Sequence, residues 1–261
     1  MRYGVCFGID SPERVYIAAN AGFDYVECSF SGLAREDETV FRAYKKALAD
    51  TGLKCERANG FIPGDLPLTG QSMNKAALCD YIRKWMQRGC EIGLETVVFG
   101  SGRARQLPEG LNYCDGFTAI ADFMGKIACP IAGEFNINIA VEPLRKDECN
   151  IINTLREGVL LAFASGAKNA FCLVDLYHML GAGESEKDII AMGAAVKHAH
   201  ISYPVSADGR KRCYPDSSDG YDYAPFIAAL EAAGVQTCSV EANCLDFEKE
   251  APEAVKRLKS I

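Results

Sequence analysis

Four residues have the types and spacing to share one ion. Glu142 closes the apolar alternating run of residues 137–144, Asp175 ends the run 169–175, His200 lies near the end of 196–202, and Glu241 ends 236–241. Side chains alternate across a strand and Pro143 cannot continue a ladder, so each group is set at the rim its strand faces. Three carboxylates and an imidazole converging in an apolar mouth repel one another and are poorly solvated unless a cation neutralises them, which makes them a candidate divalent-metal site. Oxygen donors with one nitrogen suit manganese, magnesium or cobalt better than a structural zinc, which prefers Cys and His. Singly, none is diagnostic: a strand-end glutamate is commonly a rim ion-pair partner, and a lone histidine a hydrogen-bonded core residue.

The spacings between the four are 33, 25 and 41 residues, each about one strand-plus-helix unit of ~30 residues or a little more. Strand-like runs at 3–9, 24–30, 54–59, 96–99, 137–144, 169–175, 196–202 and 236–241 alternate with helix-like runs. The latter begin after Ser11-Pro12-Glu13 and recur at 38–51, 73–92, 114–135, 153–165, 184–193, 223–233 and 246–259. Strict alternation implies a parallel sheet, and eight repeats favour closure into a (β/α)8 TIM barrel, an α/β fold forming one domain over residues 1–261. An open doubly wound sheet would carry a Gly-rich phosphate loop after its first strand, and Gly8-Ile9-Asp10-Ser11-Pro12 is no such loop. In a barrel, active sites lie at the carboxyl ends of the strands, where the four residues fall.

The chain has 261 residues, 49% hydrophobic and 24% charged, enough for a large core. A net charge of -7 opposes non-specific binding to nucleic acid or to an anionic membrane. No apolar run approaches the ~20 residues that span a bilayer and no signal-like segment precedes the first strand, so a cytoplasmic location is expected. The twelve cysteines are scattered through apolar runs without a CxxC pair, and are expected to be reduced, mostly buried thiols.

Val141-Glu142-Pro143-Leu144, Glu148, Asn153-Thr154, Asp175-Leu176-Tyr177-His178-Met179, His198-Ala199-His200-Ile201 and Val240-Glu241-Ala242-Asn243 follow in order along the chain. In these pieces, and over essentially its whole length, the sequence resembles the xylose-isomerase-like barrels, in the sugar isomerase/epimerase branch that includes the ketose 3-epimerases. The resemblance implies one divalent ion, usually manganese, with magnesium, cobalt or zinc as substitutes, held by Glu142, Asp175, His200 and Glu241. It implies that Glu142 and Glu241 also exchange the substrate proton, and that Glu148 and His178 bind the sugar's C1 and C2 oxygens. The expected partner is a small sugar, with no nucleic acid and no membrane; the outer helices of such a barrel leave room for a homo-oligomer.

A proton next to a ketone is weakly acidic, and a cation at the carbonyl stabilises the enediolate as it forms. Two carboxylates on opposite faces of the carbon give epimerisation; one base shuttling between adjacent carbons gives aldose-ketose isomerisation. The resemblance makes ketose 3-epimerisation the leading expectation. Aldose-ketose or hydroxypyruvate-type isomerisation, inosose-type dehydration and non-catalytic sugar binding are the alternatives. The trinuclear-zinc endonucleases of the same superfamily need many histidines, whereas this chain has three.

The epimerase pattern places an arginine shortly after the strand-seven histidine. Here a longer loop carries Arg210 and Arg212, and Arg212, three residues before Pro215, fits better. The segment 204–221 has the length and composition of a lid. Gly100-Ser101-Gly102-Arg103-Ala104-Arg105 could cradle a phosphate but reads better as a tight turn. Glu27 and Asn59 are expected to face the mouth and bond hydroxyls, and Phe7, Phe61 and Phe99 to be core more readily than walls for a sugar.

Overall fold

The computed structural model describes residues 1–205, Gly209 and residues 211–261. Eight parallel strands close a barrel: β1 (Arg2–Cys6), β2 (Tyr25–Ser29), β3 (Cys55–Asn59), β4 (Thr96–Phe99), β5 (Asn138–Val141), β6 (Ala170–Asp175), β7 (Val196–Ile201) and β10 (Thr237–Val240), in the circular order β1, β10, β7, β6, β5, β4, β3, β2. Between β7 and β10 in sequence, β8 (Tyr203–Val205) and β9 (Lys211–Cys213) pair as a separate antiparallel hairpin. The barrel strands carry Val5, Val26, Val97, Ile139, Val174 and Val240 in the buried core. β-branched residues suit a pleated surface covered on both faces, as in a parallel sheet wrapped by helices.

Local signals set many of the outer helices. Helix Glu38–Thr51 spans the expected residues; the Asp37 carboxylate accepts from the N–H groups of Thr39 and Val40 at its start, and Gly52 ends it in the left-handed conformation. Helix Leu155–Ala164 opens with a capping box between Thr154 and Glu157. The first helix starts at Glu13, with Pro12 at its N-cap and no side-chain capping bond.

Three features depart from the sequence expectation. The helix expected over 114–135 is α-helical only at Tyr113–Phe123 and Cys129–Glu134, joined by a π-helical turn at Met124–Ala128. Pro130 has no N–H for the i→i−4 ladder, and a Cβ on Gly125 would collide with the Ser165 carbonyl, so a neighbouring chain segment packs hard against the irregular turn. Short helices Phe30–Arg35, Gly102–Arg105 and Leu176–Gly181 follow strands where only loops were expected. Finally, β1 stops at Cys6 instead of continuing to residue 9.

Candidate active site

Glu142 directly follows β5, Asp175 is the last residue of β6, His200 lies in β7 and Glu241 directly follows β10, so four adjacent strands deliver them to the carboxyl end of the barrel. Parallel register sets Asp175 beside His200, and His200 beside Ser239. One donor atom from each of the four lies within 4.8 Å of the others. His200 Nδ1 is 3.1 Å from Glu142 Oε1, 3.3 Å from Glu241 Oε2 and 3.8 Å from Asp175 Oδ2. Glu142, Asp175 and His200 are buried and Glu241 is partly open.

Backbone packing holds Glu142 in place. Arg105, fully buried, donates through Nη1 to the Phe99 carbonyl (3.1 Å) and through Nη2 to the Glu142 carbonyl (2.8 Å) and the Ile152 carbonyl (3.5 Å). Ile152 has a φ of 60°, a strained choice for a β-branched residue, and its carbonyl also accepts from Leu144 N–H. A Cβ at Gly100 would meet Glu142 Oε2, so glycine there leaves room for the carboxylate in its present position. The 100–105 segment thus supports Glu142, and the terminal nitrogens of Arg105, bonded to carbonyls, are not free to hold a phosphate.

Beneath His200, Glu27 is fully buried. Its Oε1 lies 2.9 Å from His200 Nε2 and its Oε2 3.1 Å from His198 Nε2. Glu27 therefore does not face the mouth to bond a hydroxyl; it anchors two histidines inside the barrel. Asn59 does reach the mouth, but its Nδ2 donates to Glu241 Oε1 at 2.6 Å. Phe61 and Phe99 are fully buried and Phe7 nearly so, as core residues.

The charges of these groups are interlocked. Burial works against the charged form of Glu27, but the charges and hydrogen bonds of His200 and His198 outweigh it and hold the carboxyl well below the usual range. Burial likewise works against protonated His200, but Glu27, Glu241 and the bonds to Glu142 and Glu241 hold it well above its usual value. Burial, reinforced by the charge of Glu241, raises Glu142. Desolvation works against the charged form of the partly open Glu241 as well, yet Arg212 and His200 hold it well down.

The hairpin returns Arg212 to the cluster. Its Nη2 donates to Asp175 Oδ2 at 2.8 Å and to Glu241 Oε2, and Nη1 lies 3.2 Å from His178 Nε2. A guanidinium only donates, so that imidazole nitrogen accepts. Asn243 N–H donates to the Arg212 carbonyl at 2.6 Å, fastening the hairpin behind β10. Arg212 has a φ of 54°, strain of a kind that persists where surroundings over-determine a conformation. His178 sits in the helix after β6, where its N–H donates to Asp175 Oδ1 at 3.1 Å. Glu148 Oε1 is 4.0 Å from His178 Nδ1 on a side chain 43% exposed. Arg210 and parts of the 204–221 segment lie outside the described residues.

The donor set fits a hard divalent cation: one oxygen from each of three carboxylates and one imidazole nitrogen lie within 4.8 Å of one another, and such an oxygen-rich set suits hard ions. A cavity of about 500 Å³ at the opposite end of the barrel, lined by Arg2, Arg57, Lys197 and His198 among others, contains none of the four residues. Among the described residues no helix is long and apolar enough to cross a membrane.

Comparison with known proteins agrees with this architecture. The chain is 26% identical over 250 residues to an L-ribulose 3-epimerase of Mesorhizobium japonicum, covering 90% of this chain and 74% of that protein. Its fold matches a D-allulose 3-epimerase from Methylomonas sp. with a TM-score of 0.83 at 19% identity, covering 100% of this chain and 96% of the other. It also matches a 3-keto-D-glucoside 4-epimerase from E. coli with a TM-score of 0.81 at 18% identity and full coverage of both chains (100% and 100%). The family model described as xylose isomerase-like TIM barrel matches residues 15–261, and with eight parallel strands closed into a barrel the chain belongs to that family.

Proposed function

We propose that this protein is an isomerase-class enzyme that epimerises a sugar at a carbon next to its ketone, with C3 of a ketose as the target and one divalent cation, manganese foremost, as cofactor. The observation that carries this is the pair Glu142 and Glu241: they follow β5 and β10, which are separated in the barrel by β6 and β7, and both approach His200 Nδ1. Carboxylates entering from separate strands can address opposite faces of one carbon, one removing the proton and the other returning it with inverted configuration. Glu142, Asp175, His200 and Glu241 would hold the cation, which when bound supplies Lewis acidity that stabilises the charge developing on the carbonyl oxygen. Arg212 and His178, joined at 3.2 Å, would orient the sugar oxygens, with Glu148 at the rim. The activities named for the relatives above all act at a carbon adjacent to a ketone, which supports the same chemistry here. A reducing, cytoplasmic setting suits the buried thiols of Cys28, Cys55, Cys172 and Cys238.

Proton NMR in heavy water tests this on metal-depleted protein reconstituted with manganese and, for undistorted spectra, magnesium. With a panel of ketoses, deuterium should enter at C3 as the epimer appears, and Glu142→Gln and Glu241→Gln should abolish both. Metal binding without any exchange at C3 would sink C3 epimerisation; exchange at C1 would point to aldose-ketose isomerisation by a single carboxylate.

A further inference from the structure

We propose, resting on the cation site proposed above, that the barrel mouth also offers a softer ligand set, Cys6, His200 and Glu241, which captures thiophilic divalent ions such as zinc or cadmium. Cys6 is the last residue of β1, and β1 is hydrogen-bonded to β10, the strand that leads into Glu241. Donor atoms of Cys6, His200 and Glu241 lie within 4.8 Å of one another, as do those of Glu142, Asp175, His200 and Glu241. The two sets share His200 and Glu241. They differ in what completes them: the carboxylates of β5 and β6 on one side, the sulfur of β1 on the other.

Ligand chemistry separates the two. Manganese and magnesium favour carboxylate and water, whereas thiolate selects softer ions. Thiolate, imidazole and carboxylate are each zinc ligands, and three protein ligands leave a fourth position open to water. As the sulfur–metal bond forms, the Cys6 S–H bond breaks and its proton leaves to water, with no change of oxidation state. Because His200 and Glu241 cannot serve both sets fully, a soft ion drawn towards β1 takes two ligands from the oxygen-rich set. Cys6 thereby makes the mouth discriminate between ions, and soft ions compete with manganese.

Full-length, chelator-treated protein is titrated with cadmium, following the ultraviolet sulfur-to-metal charge-transfer band, and separately with manganese, following the free ion by electron paramagnetic resonance. The wild type should show a band saturating near one equivalent, and adding manganese should weaken it. Cys6→Ser and Cys6→Ala should lose that band and bind cadmium on the order of 10-fold or more weakly. Circular dichroism identifies a variant that fails to fold, and the folded one of the pair then decides. A wild type without the band, or a band unchanged in the folded variant, overturns the soft set. Manganese binding at one ion per chain alongside such a result leaves the oxygen-rich site standing. A Cys6-dependent cadmium band without manganese binding supports the soft set and defeats the manganese site.

Discussion

Glu27 Oε1 lies 2.9 Å from His200 Nε2, and this one bond decides which nitrogen of the imidazole meets the mouth. With Nε2 donating to a buried carboxylate, Nδ1 is left facing Glu142 and Glu241. Carboxylate partners of this sort fix the tautomer and raise the basicity of a ligand histidine. Glu27→Gln keeps the shape and removes the charge, so manganese affinity should fall on the order of 10–100-fold. Isothermal titration of the two proteins checks this, and equal affinities would deny Glu27 any part in holding the ligand.

Arg212 is bonded to Asp175, Glu241 and His178, and so neutralises part of the carboxylate cluster. In Arg212→Ala the metal-free protein should lose on the order of 3 kcal/mol, because buried carboxylates are left without a partner. The rise in Tm on adding manganese should be larger than in the wild type, while KM for the ketose increases. Melting curves with and without the ion read the first effect; an identical metal-induced rise in both proteins would refute it.

Arg105 holds three backbone carbonyls around the Glu142 turn. Arg105→Ala should cost on the order of 3 kcal/mol, because it empties the space of a large buried side chain and removes the donor to the Glu142 carbonyl, while the Phe99 and Ile152 carbonyls keep a backbone N–H each. Arg105→Lys should rescue little, since one ammonium does not match a planar fork. Urea denaturation gives the comparison, and a loss below ~1 kcal/mol in the alanine variant would contradict this role.

Glu184 accepts from Leu155 N–H at 2.9 Å at the start of helix Leu155–Ala164, and burial, with Asp188 and Glu157 nearby, raises its pKa to about 7. A carboxyl raised above its unfolded value holds its proton in the folded state while the unfolded chain has lost it. Its contribution to stability therefore falls as pH rises from about 4.5 to about 7 and then levels off. Glu184 is only half-buried, so screening reduces the effect to about 1 kcal/mol, or a Tm change of roughly 2–4 °C. Glu184→Gln should flatten that part of the Tm-against-pH curve relative to the wild type; parallel curves would exclude the linkage.

The repeat and the rim are legible in local sequence. Period-2 runs, caps such as Asp37 and Thr154, and stops such as Gly52 act within a few residues, so helix Glu38–Thr51 and strand Thr96–Phe99 were legible to the residue. Once eight such units close, a residue at a strand end can only be at the mouth, which is why Glu142, Asp175, His200 and Glu241 could be grouped from their spacing. His178 and Arg212 took their candidate roles from family resemblance, and the structure puts both against the cluster.

What lies beneath and beside those four depends on contacts between distant parts of the chain. Glu27 and His198 are 171 residues apart, and their contact depends on which way two strands turn their side chains across a closed barrel. Local sequence shows Arg105 only as the end of a tight turn, because its carbonyl partners on Glu142 and Ile152 are 37 and 47 residues away. The approach of Arg212 depends on a hairpin docked to Asn243, and that of Cys6 on β1 pairing with β10. Local sequence specifies local geometry; which buried groups meet is settled by closing the chain on itself, where most buried polar groups find partners and some of those partners come from distant elements.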